Sequence, residues 1–448
     1  MASTTDALGT TTWSYDLAGR PLRKTLPDGR FIGWNYDADG RITERSTPAG
    51  TVRYAYDAKG QLASVTDPEG RSTGYSWNDA GELTRVAYPN GTETRSAYDT
   101  NGRLTQKAHL KTVGGSLIAA SRYGYSNGQR SQVEVFDGAS TATEVDGTLQ
   151  LDNPAHSTTY AYDELQRLVG ETRTQRGSPE TRETAYTYDA VANRRQRTQT
   201  NSAGTVTTDY GYDANDRLTT ETTTDALGAV STSSYTWDDN GNLRAKTTAS
   251  GVTLYGRDAE NRLIEVKRGA DEASVATVAT YAYDADGLRV RRTEPGTPPK
   301  VTDYLTDPSF PFAKVLEETE TLGASTETTH YVWGAELIEQ LRSGQGTFYH
   351  ADALGSVKAL TDETGSTSDL YEYEAFGKLA QHAGSSGNAY RYTGEYFDDV
   401  IGLQYNRARW YSAGVGRWSA MDPHPGVMGR PISLNDYVYA ANTKPYVG

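Results

Sequence analysis

The strongest constraint on this chain is its punctuation. A Tyr-Asp-x-x-Gly motif recurs at Tyr15-Asp16 with Gly19, Tyr36-Asp37 with Gly40, Tyr56-Asp57 with Gly60 and Tyr98-Asp99 with Gly102. Trp77-Asn78 with Gly81 stands in for it once, and the successive steps are 21, 20, 21 and 21 residues. A second anchor falls between these: Pro27-Asp28-Gly29, Pro48-Ala49-Gly50, Pro68-Glu69-Gly70 and Pro89-Asn90-Gly91, at steps of 21, 20 and 21. Each anchor suits a tight turn. Asp or Asn caps a type I turn from its first position, Pro presets φ at the second, and Gly suits the last.

The segments between turns alternate, with Ile32, Trp34 and Tyr36 on one face, then Val52, Tyr54 and Tyr56, then Thr73, Tyr75 and Trp77. That is the period of a half-buried strand. The unit is therefore a β-hairpin of about 20 residues joined to the next by another tight turn. The chain has 32 Tyr against 7 Phe, and the expected reason is that a Tyr ring packs while its hydroxyl stays in water. Each hairpin widens a sheet by about 10 Å. A flat ribbon of such hairpins over 448 residues would far exceed the roughly ten strands that a twisted open sheet tolerates, so the ribbon must coil. Past residue 105 the rhythm loosens but persists at Tyr162-Asp163, Tyr188-Asp189, Tyr212-Asp213, Trp237-Asp238, Arg257-Asp258 and Tyr283-Asp284. The stretch from Asp137 to Pro154 is expected to be a long loop, and no independent domain boundary is forced.

Other chemistries find little support. A net charge of −14 opposes nonspecific attraction to nucleic acid or anionic lipid. There is no cysteine, hence no disulfide, thiolate metal site or cysteine nucleophile. Six His without an H-E-x-x-H pair do not suggest zinc, and no phosphate-binding glycine loop is present. No cofactor and no metal site are expected. Asp284-Ala285-Asp286-Gly287 looks acidic enough for calcium, but the ligand spacing of a calcium loop is absent and a turn is the better account. Asn90-Gly91-Thr92 is a formal glycosylation sequon that coincides with a turn. No stretch approaches the 18 apolar residues of a membrane span, and MASTTDALGT lacks the features of an export signal. An upstream leader in a longer gene, with a secreted or cell-surface bacterial protein as the product, is the corresponding expectation.

These repeats resemble the RHS or YD-repeat family, named for the Tyr-Asp pair. The resemblance is strongest toward the C-terminus, at Tyr349-His350-Ala351-Asp352-Ala353-Leu354-Gly355-Ser356-Val357, Arg391-Tyr392-Thr393-Gly394-Glu395-Tyr396-Phe397-Asp398 and Gly402-Leu403-Gln404-Tyr405-Asn406-Arg407-Ala408-Arg409-Trp410-Tyr411. It continues through Gly416-Arg417-Trp418-Ser419-Ala420-Met421-Asp422-Pro423 and Asn435-Asp436-Tyr437-Val438-Tyr439-Ala440-Ala441-Asn442. It implies an all-β fold: a spiralling antiparallel hairpin ribbon forming a hollow shell or barrel, as in Tc-toxin cocoons, polymorphic RHS toxins and the teneurin barrel. A repeat shell over 1–345 and an RHS-associated core over 346–448, acting as a plug, follow from it.

In the toxin relatives a C-terminal effector follows the core and is cut free by aspartyl self-proteolysis. By that analogy Asp422, with Arg417 five residues before it, matches the first catalytic motif. An aspartic dyad shares one proton between two carboxylates, and the partner is expected in an Asp-Pro-x-Gly motif just after Asn-x-Pro. Here the chain reads Asn442-Thr443-Lys444-Pro445-Tyr446-Val447-Gly448, without that motif, so no activity is expected of this chain although the parent is expected to be a self-protease. His350 is expected to pack or hydrogen-bond. The resemblance makes the chain a scaffold enclosing an absent C-terminal toxin cargo, with delivery-system or immunity proteins as further partners. The alternative is a surface adhesin or carbohydrate-binding repeat protein using exposed aromatic rows, with Trp34 and Trp77 as its test positions.

Overall fold

The computed structural model describes residues 2–145, 148–427, 429 and 431–442. Among them there is no α-helix, and 33 strands form one sheet. Each strand pairs antiparallel with the next, from Ala2–Asp6 onward to Leu379–Ala383. At its ends Ala2–Asp6 is hydrogen-bonded to Gly9–Tyr15 and Leu379–Ala383 to Thr367–Tyr373, with no second neighbour on either among the described residues. The ribbon is thus the expected spiral of antiparallel hairpins, wound as an open solenoid whose two edges do not meet among the described residues.

One device repeats along the ribbon. At Asp37 the carboxylate accepts from the Arg41 backbone N–H at 2.9 Å and from Arg41 Nε at 2.7 Å. The Arg41 guanidinium then lies over the ring of Tyr56, 4.9 Å from its centroid, and the Tyr56 hydroxyl donates to the Ile42 carbonyl at 2.8 Å. The same clasp links Asp16, Arg20 and Tyr36, and Asp163, Arg167 and Tyr188. Tryptophan substitutes by donating from its indole, Trp77 to Leu62 O at 2.8 Å and Trp237 to Leu218 O at 2.7 Å. Tyrosine is therefore used because its hydroxyl ties one hairpin to the backbone of the one before; the expectation of a hydrated hydroxyl is overturned. The register also slips by one residue before each anchor aromatic, at Asn35/Tyr36, Ala55/Tyr56 and Ser76/Trp77. Such bulges increase local twist, and one per hairpin makes the ribbon coil.

The first lap runs to about residue 290, and the second overlaps its buried face. Trp34 Nε1 donates to Asp307 at 3.2 Å, Ala49 N to Glu317 at 2.8 Å, and the Tyr54 hydroxyl to Trp333 O at 3.1 Å. Farther on Arg71 meets Glu339, Asn90 meets Thr361, and Arg197 meets Glu374. The sequence separation between lap partners falls from 273 at Trp34 to 177 at Arg197, so the second lap tightens as it advances. One apolar cluster joins Ile32 and Trp34 of the first lap, Tyr304 and Leu360 of the second, and Tyr396 and Trp410 beyond them.

The large sheet ends at Ala383, and the division expected at residue 346 falls inside it, in the strand Gln345–Ala351. A separate four-stranded sheet follows, made of Tyr396–Asp398, Leu403–Asn406, Arg409–Ser412 and Arg417–Trp418. The long loop expected from Asp137 to Pro154 is instead a hairpin, Thr141–Val145 against Thr148–Asp152, standing outside the ribbon while its neighbours Gln129–Phe136 and His156–Tyr162 pair directly. Leu151, 1% exposed, seats it on Phe136 and Leu110. The signal was the alternation on either side of Asp146-Gly147, a dipeptide that favours hairpins.

Candidate functional site

Where the chain leaves the ribbon, residues 388–442 dock on its inner strands, and buried arginines receive them. The residue paired with the anchor aromatic is usually Ile or Leu, as at Ile42, Leu62, Leu83 and Leu104. In three repeats it is arginine: Arg130 opposite Tyr125, Arg194 opposite Tyr188 and Arg289 opposite Tyr283. The pleat turns that position toward the core, so the charge is carried inside. Their exposures are 4%, 6% and 2%.

Arg289 sits in an aromatic cage, its guanidinium 4.0 Å from the Tyr304 ring centroid and 4.5 Å from those of Tyr396 and Tyr405. Asp398, fully buried, lies 3.5 Å from Arg289 Nη1 and 3.4 Å from Arg292 Nη1, and accepts from the Tyr281 hydroxyl at 3.0 Å. Burial pulls the Arg289 pKa down, but the surrounding tyrosines and Asp398 outweigh it and hold the group charged. Burial, reinforced by Asp398, pushes Tyr281 up. Arg194 donates to the Val415 carbonyl and stacks over Tyr210 at 4.7 Å and Phe376 at 5.1 Å. Gly377, at φ +87°, lies where a Cβ would strike the Tyr392 ring, so Tyr392 presses directly on the last ribbon turn. None of these anchors was legible as functional, although an arginine at the leucine position was the available signal.

The two candidate protease residues are not joined to each other. Arg417, 6% exposed, donates from Nη2 to the Asp216 carbonyl at 2.8 Å and stacks over Tyr212 at 4.8 Å; burial pushes its pKa down. It fastens the strand Arg417–Trp418 to a ribbon turn. The cation on Asp422 is Arg409, whose Nη2 donates to Asp422 Oδ2 at 2.6 Å and whose Nη1 donates to the Asp436 carbonyl at 3.0 Å. Asp422 Oδ1 accepts from the His424 backbone at 3.0 Å. Burial, then the charge of Asp422, raises the Asp436 carboxyl. Residues 443–448, where the second carboxylate was sought, lie outside the described residues.

The remaining candidates are accounted for by packing. His350 is buried, bonded through Nε2 to Thr361 Oγ1 at 2.9 Å and set 5.1 Å from the His109 ring. The Asp284 and Asp286 carboxylates meet Lys24 Nζ at 3.3 and 3.7 Å, so an ammonium stands where a cation was considered. Asn90 donates to Thr361 and Asp362 across the laps. Trp34 is 2% exposed and so presents no ring at the surface, while Trp77 is half-buried and spends its indole N–H on Leu62 O.

The geometry of hairpin, clasp and docked plug has clear relatives. The RHS Repeat family model matches residues 2–30, 36–73, 56–92, 77–111 and 237–273. Those segments are RHS repeats. Its ribbon superimposes on a chain of the Photorhabdus luminescens Tc holotoxin pore with a TM-score of 0.71 at 18% identity, over 98% of this chain and 23% of that one; at that identity the likeness is one of fold. The tRNA nuclease WapA of Bacillus subtilis is 34% identical over 213 residues, 47% of this chain and 9% of the nuclease. The double-stranded DNA deaminase toxin A of Burkholderia cenocepacia is 24% identical over 392 residues, 79% of this chain and 25% of the toxin. The chain therefore spans a quarter or less of the length of these relatives.

Proposed function

We propose that this chain is the closing section of an RHS shell that encloses a C-terminal effector in a longer polymorphic toxin, with residues 346–448 as the core region and 388–442 as its plug. The observation that carries this is the docking of the plug on Arg289 and Arg194, two charged residues placed where the repeat otherwise uses leucine. A plug held by buried ionic and aromatic contacts suits a wall that must stay closed against a cargo. The tightening of the second lap supports an end rather than a middle of the shell, and the named toxins among the relatives support the effector. Such a protein is delivered outside the producing cell, so delivery-system and immunity proteins are its expected partners.

The test uses the parent protein carrying its effector. Limited proteolysis should leave the effector intact inside the folded shell and cleave it at once when the effector is expressed alone. Equal cleavage of the two would sink the enclosure. In the same longer chain Asp422 supplies one carboxylate of a self-cleavage site, with Arg409 fixing its position through the 2.6 Å bond to Oδ2. Asp422→Asn should leave the parent uncut on a denaturing gel, and undiminished cleavage would remove Asp422 from the mechanism.

A further inference from the structure

Two of the three buried arginines at the leucine position are met by the plug. Arg130 is not. Its guanidinium lies over Tyr123 at 4.5 Å, yet Nε and Nη2 have no hydrogen-bond partner while the residue is only 4% exposed. It faces a cavity of about 80 Å³ between the laps, with Arg173 and His156 on the first-lap wall and Lys358, Asp352 and Glu372 on the second. His156 is 8% exposed, 3.4 Å from Glu372, and neither of its ring nitrogens is hydrogen-bonded. A buried charged donor without an acceptor is costly; the Arg289 nitrogens also lack hydrogen bonds but have Asp398 at 3.5 Å, whereas Arg130 has no ion pair among the described residues and faces space for an acceptor.

The walls carry four cations, Arg130, Arg173, Arg182 and Lys358, against four carboxylates, Glu171, Asp352, Glu372 and Glu374. Arg173 is paired with Glu372 at 2.8 Å, and Glu374 is neutralised from outside the cavity by Arg197 at 2.9 Å. Asp352 turns one oxygen to the Leu354 and Ser356 backbone N–H groups. The four cations and four carboxylates of the lining balance, so the unpartnered donors of Arg130, and not a net charge, select the ligand. We propose that the cavity binds a small tetrahedral oxyanion of the phosphate or sulfate class, held by the Nε and Nη2 fork of Arg130 and bridging the two laps. A planar guanidinium fork is suited to such oxygens. A cavity of about 80 Å³ is well above the roughly 10–15 Å³ needed to hold one water, which is space for a four-oxygen anion.

The experiment is phosphate binding to the purified protein by 31P NMR line broadening, with urea unfolding in phosphate against chloride at matched ionic strength. Wild type should broaden the phosphate line, sulfate should compete, and at phosphate tenfold above Kd the unfolding equilibrium constant should fall about 11-fold. Arg130→Met should lose both responses. Should that variant fail to fold, Arg130→Lys, which keeps the charge and loses the fork, should bind phosphate at least tenfold more weakly. No broadening and equal stability in the two salts would mean the cavity holds water only and would overturn the proposal. So would an unchanged response in the Arg130 variant that folds, or protection by acetate equal to that by phosphate, which would make the site a clip for a protein carboxylate.

Discussion

The two laps of the ribbon are held together differently. From residue 16 to residue 262 the turns carry Asp–Arg pairs four residues apart, seven of them with 2.7 Å contacts. In the second lap the corresponding positions read Asp352 with Ser356, Asp362 with Ser366 and Glu374 with Lys378; although Trp333 still donates its indole N–H to Val315 O at 2.9 Å, the Asp–Arg pair is gone from these turns. What replaces it is contact at long range: Tyr304, Leu360 and Tyr371 are at most 2% exposed and pack against chain far away in sequence. The first lap is close to a one-dimensional solid in which each hairpin braces its neighbour. The second lap and the plug instead depend on the first lap being in place.

The largest test of this difference is Asp398→Ala. It leaves Arg289 and Arg292 buried without their shared carboxylate, and removing one partner of a buried pair costs about 3–5 kcal/mol. Residues 388–442 should become protease-sensitive while the clasped hairpins up to residue 262 keep their slow amide exchange. Simultaneous loss of both regions would show that the ribbon has no local stability of its own.

Acid should attack the lap seam next. Burial lowers the pKa of His350 to about 3, with Lys107 adding to the effect, and burial also holds His109 well below 6.5. Both imidazoles are neutral when folded, so their contribution is present above about pH 6.5 and is lost as pH falls below it, by up to about 1.4 kcal/mol per pH unit for each. Urea midpoints measured from pH 7.5 to 4.5 should fall, and His350→Gln should flatten that fall; an identical slope in the variant would exclude His350.

Base should loosen the same seam through Glu339. Burial first, and then its contact with Asp67, raise the Glu339 carboxyl from 4.5 to about 9. A raised acid pKa contributes stability that is full below about 4.5 and declines as pH rises toward about 9. Glu339→Gln should remove this decline, which equilibrium unfolding at pH 6, 7.5 and 9 would detect as a shallower slope. The smallest effect belongs to the clasp: Tyr56→Phe loses the bond to Ile42 O and should cost about 1 kcal/mol. Tyr304→Phe, in the second lap, tests whether a hydroxyl outside a clasp costs as little.

Legibility followed the same division. The hairpin ribbon was readable because Asp37, Gly40 and Pro48 act on their own turns, within a few residues. The clasp was half readable: Asp37 and Tyr56 were singled out, but Arg41 was not, because its value lies in stacking on a ring 15 positions away. The hairpin at Thr141–Val145 was missed because its turn interrupts an otherwise regular spacing. Asp422 and Arg417 stood out by motif, yet their partners, Arg409 and the Asp216 carbonyl, come from outside that motif.

Turn chemistry and alternation act over a few bonds, so they dictate antiparallel hairpins, their order and the need to coil wherever the chain is placed. Which residues meet between laps is set by small bulge-borne twists added over many hairpins, a sum that no single window of residues contains. Arg130, Arg194 and Arg289 follow the same local rule to the same inward position. Only the path of the plug decided that two of them would be covered and that Arg130 would face open space.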